Sequence, residues 1–291
     1  MTRPLLLNAA VAAAAVLASH FVPVVLVTAL APEIPAAHLS RVSRLVSEAL
    51  GDKDVGGGTD ATIDSAAAAR YASVRSAVAD FNRDMPVPAN ELVYGELSVP
   101  TLGTILDAVG LGEEETFLDV GSGDGACVLG ASLLYNQDDS VVISKCIGVE
   151  IVPGLVDRSE HHAENLADIL QREKGSGSSL RQAQAQVEFL LGDIHDSSDR
   201  VMSRVLSQAT VVVCFATTWC ASNTETGDKT SLQGRRLPKL SQALSALKRG
   251  ARVVIIDGKL DSRDGFAWQG DLRIVCPDTA PYSTATLYHK Q

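Results

Sequence analysis

The 291-residue sequence predicts an α/β fold: a mostly parallel sheet with helices on both faces and a C-terminal antiparallel hairpin. Three observations carry that prediction. From Val99 onward, short apolar runs of strand length alternate with longer amphipathic stretches, the pattern left by strand-to-helix-to-strand crossovers on a buried sheet. The apolar run Phe117 to Val120 passes into "GSGDG", Gly121 to Gly125, and then into an Ala/Val/Leu helical pattern, so a buried strand turns tightly into a helix. Near the C-terminus two strand-like runs are joined by the short "CPDTAPYS". A parallel crossover needs about a dozen residues or more, so those two strands should pair antiparallel.

The elements follow in order. "IPAAHLSRVSRLVSEAL", from Ile34, spaces Leu and Val as an amphipathic helix does. The Gly-rich "GDKDVGGGTD", Gly51 to Asp60, reads as a flexible linker, and Ala61 to Phe81 as a second helix. A Pro-rich approach then leads to a helix near Val99 to Val109. Beyond it the pattern predicts strands at Thr116–Val120, Val142–Glu150, Val187–Leu191, Thr210–Phe215 and Arg252–Asp257. Helices are expected between them at Asp124–Leu134, Leu155–Arg172, Asp199–Ser207 and Pro238–Leu247, and the closing strands at Leu272–Cys276 and Ser283–Tyr288. Together these give a seven-stranded, Rossmann-like sheet.

Composition narrows the class further. A formal net charge of −10 offers no general attraction to phosphate backbones, which disfavours nucleic acid as a partner. The five cysteines include no C-x-x-C pair, so neither a metal site nor a disulfide framework is indicated. From Pro4 to Pro32 the sequence has no Asp, Glu, Lys or Arg, a length sufficient for a bilayer span. Residues 1–32 are therefore expected to be a membrane anchor or a targeting segment for an organelle or the secretory route, giving a possible membrane attachment through the N-terminus. The division predicted is 1–32 for that segment, 33–90 for a helical extension with its Gly-rich linker, and 91–291 for the catalytic domain.

The glycine loop fits two ligand classes. Gly121, Gly123 and Ala126 match the G-x-G-x-x-G/A fingerprint of dinucleotide enzymes. With Asp119 leading, Gly121, Gly123 and Gly125 also resemble the first motif of class I S-adenosylmethionine (SAM) methyltransferases. Those enzymes have a parallel sheet closed by an antiparallel hairpin, whereas dinucleotide domains continue with parallel units. The expected hairpin thus favours SAM.

Ligands of such sheets lie beyond the carboxyl ends of the strands, which makes strand-terminal acids the candidates. Glu150 ends the second strand, where a carboxylate can accept two ribose hydroxyls. Asp193 follows the third, placed for an adenine amino group with Ile194 against the ring. Asp119, at the end of the first, can hold the methionine ammonium directly or through water, or simply orient the glycine loop.

Upstream, "VYGELSVPTLGTILDAVGLGEEETFLDVGSGDG" resembles the disruptor-of-telomeric-silencing family, the non-SET histone lysine methyltransferases. Tyr94, Gly95 and Glu96 match that family's Tyr-Gly-Glu loop, Asp119 to Gly125 its first motif, Glu150 its ribose acid, and Gly192 with Asp193 its adenine acid. The resemblance covers approximately Val93 to Lys259. It implies that Tyr94 to Glu96 close over the methionine part of SAM, with Glu96 near the ammonium. After the fourth strand the family has an Asn-rich segment, and here "VVVCFATTWCASN" departs from it, with Phe215 and Trp219 as the available channel aromatics. Tyr94, Phe215 and Trp219 are thus the candidate catalytic residues. The expected activity is SAM-dependent methylation of a protein lysine. The alternatives are a small-molecule methyltransferase of the same fold or a catalytically silent SAM-binding module.

Overall fold

The computed structural model describes residues 34–51, 60–84, 97–135, 142–175, 185–216, 235–274 and 283–291. The apolar N-terminal segment, Tyr94, Glu96 and Trp219 lie outside the described residues. Among the described residues, no helix is long and apolar enough to cross a membrane.

Helices α1 (Ala36–Ala49), α2 (Asp60–Asp84) and α3 (Val99–Val109) precede the alternating part of the chain. That part runs β1 (Glu115–Val120), α4 (Ala126–Leu134), β2 (Ile143–Glu150), α5 (Pro153–Gly175), β3 (Gln186–Leu191), α6 (Arg200–Gln208) and β4 (Val211–Phe215). It ends with α7 (Pro238–Leu244), β5 (Arg252–Ile256), a 3-10 turn at Ser262–Asp264, β6 (Phe266–Ile274) and β7 (Ser283–Lys290).

The seven strands form one sheet in the order β3-β2-β1-β4-β5-β7-β6. Strands β1 to β5 are mutually parallel, and β7 runs antiparallel to β5 on one side and β6 on the other. The chain winds outward from β1 to β3, then returns to lay β4 on the opposite side of β1. That reversal opens a crevice beyond the carboxyl ends of β1 and β4.

The expected hairpin is present, with β7 inserted between β5 and β6. Strand β6 begins at Phe266 and not at Leu272. Its early half is inconspicuous in the sequence because the register shifts between Trp268 and Gly270, and because Trp268, Gln269 and Asp271 face solvent at the sheet edge. An interrupted alternation of this kind hides a strand.

Local chemistry explains the helix ends near the crevice. Ser98 caps α3 by accepting from the Thr101 amide, and Gly110, at φ 69°, closes it in the left-handed conformation. Asp199 caps α6 by accepting from the Val201 and Met202 amides, and Met202, Val205 and Leu206 then face the sheet at helical spacing. Strand β1 sends Phe117 to one face and Leu118 and Val120 to the other, all buried. Burial on both faces is why the run reads as apolar on both sides, interrupted only by Asp119 near its carboxyl end. Helix α1 joins the Phe117 side through Val42, Leu45, Val46 and Ala49.

Candidate active site

The glycine turn after β1 is held from two sides, β2 and α5. From β2, the Val149 carbonyl accepts from the Gly121 and Ser122 amides at 2.8 and 3.1 Å. Glu150 Oε2 accepts from the Gly123 amide at 2.9 Å. From α5, Ser159 Oγ lies 3.1 Å from the Gly123 carbonyl, and His162 Nδ1 donates to the Asp124 carbonyl at 3.0 Å. Burial holds the His162 imidazole below its usual pKa, which suits a neutral ring with its proton on Nδ1.

Three glycines in the turn have positive φ: Gly121 at 78°, Gly123 at 57° and Gly125 at 92°. Gly125 has a second reason to lack a side chain, since a Cβ there would lie 2.7 and 2.9 Å from the Phe189 ring of β3. Gly148, inside β2, is required on the same grounds. Its Cβ would meet both Phe189 and Ser122 Oγ at 2.7 Å, so the bare backbone lets the turn settle on the strand. A lone glycine within the strand pattern "CIGVE" was the signal for that close approach, and sequence reasoning passed it over.

The two acids beside the turn differ in their surroundings. Glu150 is buried, yet its carboxylate accepts from the amides of Gly123, Ile151 (2.8 Å) and Val152 (3.0 Å). Burial raises its pKa while the three amides oppose the rise. Asp119 is equally buried, and among the described residues no group donates to its side chain. Burial, reinforced by the negative charge of Glu150, pushes its pKa up to about 7. When the pair shares one proton, Asp119 is the member that carries it, because Glu150 already has donors to stabilise its charge.

Farther along the edge, Asp193 is exposed and accepts from the His195 amide at 2.8 Å, forming a short turn that buries Ile194 beneath it. Phe215 ends β4 half-buried, and Ala216 beyond it is fully buried. The crevice therefore brings together Asp119, Gly121, Gly123, Gly125 and Glu150, with Asp193 and Ile194 following β3 and Phe215 closing β4.

Several polar groups around this edge were not anticipated. Asp257 follows β5 at φ 57°, an uncommon conformation for a residue with a Cβ, and exchanges two 2.9 Å hydrogen bonds with the Thr284 backbone. The rule that picked out the acids after β1, β2 and β3 applies equally to "IIDG" and would have found it. Asp124, whose side chain is wholly buried within the turn, pairs with Arg70 of α2 and Arg158 of α5.

A SAM ligand fits this arrangement on electrostatic grounds. SAM is cationic at both its ammonium and its sulfonium, and the crevice holds, beside a second carboxylate, a buried carboxylate to which no group among the described residues donates. A cation satisfies that pair, whereas a pyrophosphate would add to the repulsion.

A family model described as "Histone methylation protein DOT1" matches residues 74–220, slightly more than half of the 291 residues. The chain belongs to that family. It is accordingly a SAM-dependent methyltransferase, and SAM is its cofactor. The DOT1 match spans the glycine turn, Glu150, Asp193 and Phe215, and begins inside α2.

No curated protein matches the chain. Among solved structures, the YcgJ protein of Bacillus subtilis aligns at 14% identity over 66% of this chain and 99% of its own, with a TM-score of 0.38. Geranyl diphosphate C-methyltransferase of Streptomyces coelicolor A3(2), crystallised with S-adenosyl-L-homocysteine, aligns at 12% identity over 67% of this chain and 77% of its own, with a TM-score of 0.40. YjhP of E. coli aligns at 16% identity over 57% and 52%, with a TM-score of 0.35. Likeness at this level adds nothing to the assignment, which rests on the family match and on the charge pattern of the crevice.

Proposed function

We propose that the chain methylates the side-chain amine of a protein lysine. The observation that carries this reading is the match of residues 74–220 to a family described by histone methylation. When bound, SAM supplies a methyl group on a positively charged sulfur, so departure of the leaving group needs no acid from the protein. What the chain must supply is alignment of the acceptor and exclusion of water.

In this reading Asp119 takes the ammonium of the cofactor, Glu150 both ribose hydroxyls, and Asp193 the adenine amino group over Ile194. Gly121, Gly123 and Gly125 let the backbone approach without a Cβ in the way. Glu96 adds to the ammonium site, and Tyr94 closes over the methionine part. Phe215 and Trp219 wall the acceptor channel. A lysine amine has a reference pKa of about 10.4 and reacts only when neutral, and an apolar wall favours its neutral form.

The segment Cys214 to Trp219 supports a second reading, methylation of a small molecule, because it lacks the Asn side chains expected of a lysine channel. The partner is in either case a methyl acceptor, and the net charge of −10 argues against nucleic acid. Incubation with radiolabelled SAM and either basic peptides or a metabolite panel separates the readings. Methyl-lysine in acid hydrolysates supports the first. Label confined to small molecules overturns it.

A further inference from the structure

Helix α2 touches both elements that cradle the cofactor. Near the middle of the helix Arg70 Nη1 lies 3.4 Å from Asp124 Oδ2, inside the glycine turn, and Arg158 Nη2 of α5 reaches the same oxygen at 3.7 Å. Arg158 also donates through Nη1 to Ser73 Oγ of α2 at 2.6 Å. Farther along, Val74, Ala77, Val78 and Phe81 of α2 pack against Ile151, Val152 and Leu155. Ile151 and Val152 are the residues whose amides hold Glu150. One helix outside the sheet thus braces the turn through charge and the ribose acid through packing.

The energetics tie these contacts together. The Asp124 side chain is wholly buried, and that of Arg70 is only 9% exposed. Withdrawing α2 would take the nearer of two guanidinium groups, Arg70 at 3.4 Å against Arg158 at 3.7 Å, away from a buried carboxylate, which is costly. The turn relaxes that penalty by rearranging until Asp124 reaches water, which moves Gly123 and Gly125. Arg70 lies outside the family match, which starts at residue 74, whereas Asp124 and Arg158 lie within it.

We infer that α2 is part of the cofactor site, with Arg70 a positioning residue that holds the glycine turn in its binding geometry through Asp124. Cofactor affinity then depends on α2 being docked, and by reciprocity the bound cofactor holds α2 down. This rests on the assignment of the glycine turn to the cofactor.

The test uses the full chain with S-adenosylhomocysteine as the probe. Hydrogen exchange of the α2 amides in the wild type should slow when the probe is saturating, and unchanged exchange overturns the inference without any variant. By calorimetry Arg70→Met should weaken the probe by about tenfold, Arg70→Lys should recover part of the loss, and Arg70→Met should add little once Asp124→Asn is present. Wild-type affinity in a folded Arg70→Met protein refutes the coupling. Gly125→Val serves as the reference. Loss of binding there with wild-type affinity in Arg70→Met refutes only the role of α2, whereas normal binding in Gly125→Val refutes the assignment of the turn itself.

Discussion

Along the carboxyl edge of the sheet, the β1–β2 end and the β4–β5 end are built on different principles. At β1 and β2, two buried carboxylates stand beside a turn whose backbone is fixed by Glu150, Ser159 and His162. At β4 the edge is apolar, Phe215 followed by Ala216, and the buried acid after β5 is committed to the Thr284 backbone. In the proposed reading, the first end is arranged for one cationic ligand before it arrives, and the second serves as a wall. A cofactor that never varies rewards a rigid polar site, while an acceptor that must arrive, react and leave is better served by shape and dryness.

The largest expected effect breaks the polar end outright. Gly125→Val sets a β-branched residue at φ 92° with its Cβ against the Phe189 ring, and should cost about 2–6 kcal/mol of stability and abolish binding of S-adenosylhomocysteine. Gly250→Ala is the matched comparison. Gly250 also has positive φ, 87°, but a Cβ there meets nothing within 4 Å, so only the strain of about 1 kcal/mol should appear and binding should persist. Equal damage from the two in denaturant titrations would mean that the tight packing of the turn is unimportant.

The contrast also governs what was legible in the sequence. Asp119, Glu150 and Asp193 could be found because each closes a strand, and strand ends are visible as local apolar patterns. Arg70 and Asp124 could not be paired in this way, since they are 54 positions apart and belong to elements whose docking no local pattern specifies. Ser159 and His162 were hidden for the same reason, on a helix whose amphipathic pattern accounts for its packing but not for its polar contacts with the turn. Gly148 and Asp257 were within reach of rules already in use, one for a glycine inside a strand and one for an acid at a strand end. The start of β6 was obscured by its register shift.

A smaller effect sharpens the electrostatic half of the comparison. The pKa of Asp119 stands at about 7, above its ordinary value, so the folded protein holds a proton that the unfolded chain releases near pH 4. That contribution to stability is complete below the unfolded value and is lost as pH rises through about 7. The ligand-free wild type should therefore lose thermal stability from pH 5 to 7.5 relative to Asp119→Asn. A cationic ligand reverses the preference by favouring the carboxylate, so binding below pH 7 expels the proton. Affinity for S-adenosylhomocysteine should rise by up to about tenfold per pH unit toward pH 7 and level off beyond it, with the slope absent in Asp119→Asn. A pH-independent wild type would show that Asp119 does not meet the ligand's charge.

The smallest effect on cofactor binding is expected at the apolar end, and it is the one that tests whether that end is a wall. Phe215 closes β4 half-buried, packed on the side of the sheet that includes Val213 and Ile256. Truncation to Ala removes only part of a buried ring, so the loss of stability should stay below the 3–5 kcal/mol typical of a fully buried Phe. No polar contact to the glycine turn or to Glu150 passes through it, and affinity for S-adenosylhomocysteine should change by no more than about twofold. If the proposed acceptor passes along this wall, methyl transfer should nonetheless fall by about tenfold, equivalent to about 1.4 kcal/mol in the barrier, because the acceptor is then solvated and less well aligned. Phe215→Leu distinguishes packing from channel lining: it should restore most of the stability, but a branched aliphatic chain cannot replace the flat face of the ring, so turnover should recover less than stability does. Stability and turnover recovering together would reduce Phe215 to a core residue, and undiminished turnover in Phe215→Ala would move the acceptor path away from the end of β4.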